Sequence, residues 1–108
     1  MEQQKMQNCA DTECIGQVVA EIAKRIQPLR IYLYNQRKSP AGNVTGFKLC
    51  AIVKAGDKKA AEQEVYRHVD CEVPFDVLFY TEQEWETLTG QSNSFAYKIV
   101  QMGLIVYG

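Results

Sequence analysis

The chain changes its hydrophobic period within a few residues, and this constrains its fold more than any other feature. Ile15, Val18, Val19, Ile22, Ala23 and Ile26 recur at helical spacing and draw one apolar stripe. Pro28 ends that stripe. Residues Arg30 to Asn35 follow at once, rich in Ile, Leu and Tyr, and read as a strand. A helix with one apolar face must lie on something, and a lone strand must pair. The two together call for a helix packed on a sheet.

The rest of the chain repeats that alternation. Residues 36–46, QRKSPAGNVTG, read as a loop marked by Pro40, Gly42 and Gly46. Phe47 to Val53 is the second strand. Gly56 and Asp57 open a helix to about Val69, with Asp57 as its N-cap. Pro74 restarts extended chain, and Phe75 to Tyr80 is the third strand. Thr81 with Glu84 three positions on is a capping box, starting a helix that carries Trp85 and Leu88 and stops at Gly90. Ser94 caps a last helix with Phe95, Ile99 and Met102, which Gly103 closes. Leu104 to Tyr107 is a final short strand. The expected fold class is α+β: a small mixed β-sheet with helices packed on it, in the order α-β-β-α-β-α-α-β. Residues 1–11 read as a flexible tail and residues 12–108 as a single domain, the first helix being capped by Asp11 or Thr12.

Strand parity assigns faces. On the second strand Phe47, Leu49, Ala51 and Val53 share one face, and Lys48, Cys50, Ile52 and Lys54 the other. On the third, Phe75, Val77 and Phe79 oppose Asp76, Leu78 and Tyr80.

Charge narrows the function classes. The net charge of −1 argues against a generic nucleic-acid binder. No apolar run approaches the ~18 residues of a membrane span, and the first eleven residues carry no apolar signal-peptide core. A cytoplasmic location with no membrane partner is the expectation. The four cysteines, Cys9, Cys14, Cys50 and Cys71, form no C-x-x-C pair, and His68 is the only histidine, so reduced thiols and no metal site are expected. His68 and Cys71 sit at i, i+3, but nothing supplies a third orienting group for a nucleophile pair. Charge is also segregated. Between Glu21 and Asp57 there is no carboxylate, whereas Lys24, Arg25, Arg30, Arg37, Lys38, Lys48 and Lys54 all fall there. Solvated side chains account for most of that run. The sharper reading is an anion site at the loop, using Arg37 and Lys38 with free backbone N–H groups around Gly42 and Gly46.

Ile31 to Val53, followed by VPFDVLFYTEQEW and FAYKIVQMGLIVYG, resembles the minimal nucleotidyltransferase domains, small relatives of the polymerase-beta palm of which many act as antitoxins. The resemblance spans roughly residues 12–108 and rests on the order and spacing of its pieces. It implies a strand ending in Gly-Ser-Arg, a strand bearing Asp-x-Asp, and a third strand with one more Asp. Arg37 matches the arginine, Lys38 suits the position after it, and Asp76 matches the third carboxylate. The other positions depart: Asn35-Gln36 replaces Gly-Ser, and Phe47-Lys48-Leu49 replaces Asp-x-Asp.

That departure bears on the chemistry the resemblance implies. Nucleotidyl transfer uses two divalent ions held between carboxylates and a triphosphate, and hard Mg2+ wants oxygen ligands. Phe47 and Leu49 supply none. The former active-site positions Asn35, Gln36, Phe47, Leu49 and Asp76 are therefore read as a degenerate site with no catalytic residue, no metal and no cofactor. The face carrying Phe47 and Leu49 needs a cover: a loop, the N-terminal tail or a partner. The leading reading is a noncatalytic, pseudoenzyme-like domain whose former cleft binds protein in a regulatory or antitoxin-like role, as a homo-oligomer or with another protein. The alternatives are divergent adenylyl transfer from ATP with Mg2+ at Asp76, Arg37 and Lys38, and metal-free binding of a nucleotide or phosphorylated ligand at the basic loop.

Overall fold

The computed structural model describes residues 13–108 except 55 and 57. The expected caps Asp11, Thr12 and Asp57, and the expected tail, lie outside the described residues. The order of elements follows the sequence reading: α1 (Cys14–Ile26), β1 (Arg30–Lys38), β2 (Val44–Val53), α2 (Lys58–His68), β3 (Phe75–Thr81), α3 (Glu82–Thr89), α4 (Phe95–Met102) and β4 (Leu104–Tyr107). The fold is α+β, with one four-stranded mixed sheet in the order β3-β2-β1-β4. β1 runs antiparallel to β2 and to β4, whereas β2 and β3 are parallel and joined through α2.

Local chemistry fixes the ends of these elements. α1 stops at Gln27, whose left-handed φ of 48° turns the chain before Pro28 and whose N–H donates to the Ala23 carbonyl at 3.0 Å. The capping box on α3 is closed in both directions. The Glu84 N–H donates to Thr81 Oγ1 at 3.1 Å, and the Thr81 N–H donates to Glu84 Oε1 at 3.0 Å. Ser94 Oγ accepts from the Tyr97 N–H at 3.0 Å and starts α4. Gly103 ends it where a Cβ would come within 2.5 Å of the Ile99 carbonyl oxygen, so the turn from α4 into β4 requires glycine.

The sheet is covered on both faces. On one, Ile15, Val18, Val19 and Ile22 of α1 and Ala61 and Val65 of α2 pack on Ile31, Phe47, Leu49, Ala51, Val53, Val77 and Phe79. On the other, Trp85 of α3 and Ala96 and Ile99 of α4 pack on Tyr32, Cys50 and Ile52, with Tyr34 and Tyr80 half-buried beside them. Arg25 ties α1 to α2 through Glu21 at 2.8 Å and Glu64 at 3.1 Å. Both strand parities read from the sequence hold. Among the described residues no helix is long and apolar enough to cross a membrane.

The region read as a loop is shorter than the sequence suggests. β1 continues through Gln36, Arg37 and Lys38 and pairs with a β2 that already begins at Val44. The turn between them is confined to residues 39–43. Pro40 occupies its second position, the Gly42 N–H donates to the Ser39 carbonyl at 2.8 Å, and Gly42 takes a left-handed φ of 91°. Residues 36–38 are too polar to announce a strand. Pairing with Val44, Gly46 and Phe47 makes them one.

Candidate functional site

Register across the sheet decides which candidate residues meet. Three rows run across the face covered by α3 and α4: Arg30–Ile52–Tyr80, Tyr32–Cys50–Leu78 and Asn35–Lys48–Asp76. The opposite face carries Ile31–Ala51–Phe79, Leu33–Leu49–Val77 and Gln36–Phe47–Phe75. A β-bulge between Leu33 and Asn35 resets the parity of β1. It turns Tyr34 and Asn35 both toward α4, and Gln36 toward α1 and β4. The five former active-site positions therefore do not converge. Asn35 and Asp76 share one face, and Gln36, Phe47 and Leu49 share the other.

The cover expected for the Phe47–Leu49 face, a loop, the N-terminal tail or a partner, is supplied instead by two helices. Phe47 is 3% exposed and Leu49 is fully enclosed, beneath α1 and α2 of the same chain. The Phe47 ring also stacks on Phe75, with centroids 5.5 Å apart and planes 11° from parallel. Intramolecular helices cover these side chains, so they offer no surface to a partner.

On the Asp76 face, β2 presents Lys48 and Cys50. The Cys50 thiol is buried, which pushes its pKa up to about 12, so it remains protonated and offers no anionic ligand. Lys48 offers a cation. Asp76 is thus the sole carboxylate in its row, and among the described residues no group of three His, Cys, Asp or Glu is placed to hold a metal ion. His68 is directed at Glu64, 4.0 Å away, and Cys71 lies beyond the end of α2.

The anion site expected at a basic loop also takes a different form. Arg37 and Lys38 belong to β1, the Gly42 N–H is spent on Ser39, and Gly46 is within the ladder opposite Arg37. Arg37 folds over Gly46, where a Cβ would come within 3.0 Å of its Nη2. Asn35, Arg37, Lys48 and Asp76 line a cleft of about 40 Å³, which is space for about one water.

A larger pocket of about 270 Å³ lies beside that cleft, between the β1–β2 face and α4. Tyr34, Asn35, Lys48, Phe95, Lys98, Ile99 and Met102 line it. Tyr34 and Phe95 meet edge to face at 5.4 Å. Burial pushes the Tyr34 hydroxyl up to about 12, with Asp76 and Cys50 adding to the effect, so it remains a neutral phenol. The ion pairs among the described residues join Arg25 and Lys58 to Glu21, Glu64 and Glu84, and none involves Lys48 or Lys98. Sequence reasoning missed Lys98 and Phe95 as partners of Lys48. They lie some fifty residues from it in the chain, and only the docking of α4 brings them together.

The third feature is apolar and open. Met102 is 79% exposed, Leu104 63% and Ile105 52%, on consecutive turns and an edge strand. Between α1, β1 and β4 runs a groove of about 650 Å³, lined by Ile15, Gly16, Val19, Ala20, Ala23, Leu33, Gln36, Leu104, Val106 and Tyr107. Comparison with family models, with curated proteins and with solved structures returns no match to the chain. The geometry of these surfaces therefore carries the functional argument.

Proposed function

We propose that this chain is a noncatalytic domain of nucleotidyltransferase-like architecture that acts by binding protein. The observation that carries the reading is the apolar exposure on both faces of the β4 edge, Leu104 beside a groove large enough for several side chains and Ile105 on the α4 side, with Met102 exposed at the end of α4. Soluble domains rarely leave such residues together without a use. The Asp76 face supports the noncatalytic half of the reading, because β2 brings only Lys48 and the Cys50 thiol to that face and adds no second carboxylate for two-metal chemistry. The binding surface in this reading is α4–β4, not the Phe47–Leu49 face. An antitoxin-like or regulatory role is one form such binding takes.

Calorimetry with ATP tests it. No heat is expected with or without Mg2+, and Mg2+-dependent binding abolished by Asp76→Ala would overturn the noncatalytic reading in favour of adenylyl transfer. One observation favours a second reading, metal-free binding of an anionic ligand such as a nucleotide. Lys48 and Lys98 line one pocket with two aromatic rings and have no carboxylate paired to them. Heat that ignores EDTA, weakens with salt and is lost in Lys48→Ala selects that reading.

A further inference from the structure

The two edges of the sheet are finished differently. At the β3 edge, Tyr66 of α2 bonds the strand's outer backbone twice. The Val77 N–H donates to Tyr66 Oη at 3.0 Å, and that hydroxyl donates to the Val77 carbonyl at 3.3 Å. Pro74 precedes this strand and Asp76 stands on it, so the edge is closed to another strand by a hydroxyl, a proline and a charge. Among the described residues none of these devices is present at the β4 edge. Residues 99–108 contain no Asp, Glu, Lys, Arg or Pro. Among the described residues β4 pairs with β1 alone, leaving its outer backbone groups without a strand.

From this contrast we infer that the β4 edge is the site of a two-fold homodimer, in which β4 pairs antiparallel with β4 of a second copy. This rests on the protein-binding reading and names its partner. Charge argues for a second copy over a different protein. Across a two-fold axis the strand meets its own image, so an unbalanced charge on it would meet the same charge on the partner copy. An edge strand with no charge at all is compatible with its own image. The two-fold axis runs perpendicular to the sheet, so two four-stranded sheets become one continuous sheet and each protomer's α1 lies on the same side.

The groove then acquires a function. Leu104 and Tyr107 line it from β4, and Gly16 and Ala20 line it from α1. Joining two copies at β4 brings the two grooves together, and the apolar side chains of each strand enter the space that the small residues of α1 leave open. A Cβ built at Gly16 has nothing within 4 Å, so among the described residues nothing fills that space.

Sedimentation equilibrium of the full chain, over a dilution series, tests the inference. The wild type is expected at twice the monomer mass, dissociating on dilution. Leu104→Lys and Ile105→Lys place like charges across the axis and are expected to raise the dissociation constant by about a hundredfold. Both sites are exposed, so circular dichroism should show the fold unchanged. Gly16→Leu, which fills the groove from α1 and favours the helix, is expected to weaken the dimer while raising the monomer's melting temperature. Hydrogen exchange should show the outward-facing amides of residues 104–107, those not bonded to β1, becoming protected as concentration rises. A wild type that stays monomeric at every concentration, or a dimer untouched by both lysines, overturns the inference. A monomer whose outward-facing β4 amides, those not bonded to β1, are protected at every dilution also overturns it, the strand then being covered within its own chain. None of these results depends on the ATP calorimetry, so the dimer can fail while the noncatalytic reading stands.

Discussion

Leu49 is where the sequence reading and the structure diverge most sharply, and a single substitution separates them. Leu49→Ala removes three carbons from a side chain with no exposed surface, held between Leu33 and Val77 in the sheet under α1 and α2. Their transfer is worth about 2.4 kcal/mol at ~0.8 kcal/mol per carbon. A sheet clamped by two helices collapses poorly into the space, which brings the loss to about 3 kcal/mol. For a domain of this size that lowers Tm by about 12–24 °C. The assay is urea unfolding at several protein concentrations, followed by far-ultraviolet circular dichroism. A cover supplied by the same chain makes the loss independent of concentration. A cover supplied by a partner makes it vanish on dilution, because the side chain is then already in water. Leu49→Asp sharpens the test. It restores the residue that the nucleotidyltransferase pattern carries there, yet buries a carboxylate with no counter-charge, and the domain should not fold. A folded Leu49→Asp protein with an unshifted Tm would refute the assignment of this face to the core.

Three further outcomes follow from single contacts. The Glu84 carboxylate is held below its ordinary range by the Thr81 N–H and then by Lys58 at 3.1 Å. Its contribution is therefore present above the ordinary carboxylate pKa and lost as pH falls through the depressed folded value. The Tm difference between wild type and Glu84→Gln should be largest near neutrality and disappear in acid. Gly103→Ala should cost about 1–3 kcal/mol in urea unfolding, since its Cβ meets the Ile99 carbonyl and the backbone must shift. Cys50, buried and with its thiol pushed up to about 12, should resist iodoacetamide at mildly alkaline pH until the protein unfolds, as read by peptide mass spectrometry.

The fold was legible where its causes are local. Thr81 and Glu84 form their box within one turn, Ser94 and Gly103 bracket α4, and alternation groups Phe47 with Leu49 within β2 and Phe75 with Val77 within β3 without knowledge of any partner strand. What escaped depends on pairing. Gln36, Arg37 and Lys38 are extended because Val44, Gly46 and Phe47 lie across from them, and no propensity of their own requires it. The bulge at Tyr34 puts Tyr34 and Asn35 on one face and so exchanges the faces that alternation from Leu33 would give Asn35 and Gln36, which no count of residues would show. The candidate site is the extreme case. Asp76 takes its meaning from the residue beside it, and the register of a parallel pair makes that residue Lys48.

An edge strand carries a cost that bears on how the α4–β4 surface should be read. Unpaired backbone groups and apolar side chains on one strand are a template for uncontrolled association, and proteins blunt such strands with charges, prolines or covering groups. This chain does so at β3, where Tyr66 spends its hydroxyl on Val77. Its charges are plentiful elsewhere, yet the last of them is Lys98, before the chain enters the final turn of α4 and β4. Closed two-fold pairing consumes one open edge in each copy and leaves none for growth, because the far edge of each sheet is already blocked. A sheet protected at one edge and open at the other is therefore consistent with a finite assembly. Removing the protection supplies the complementary test: Tyr66→Phe deletes both bonds to Val77, and it should turn a species of twice the monomer mass into larger, concentration-dependent ones. If the sedimentation profile of Tyr66→Phe is unchanged, the hydroxyl is not what closes the β3 edge, and the contrast between the two edges loses its force.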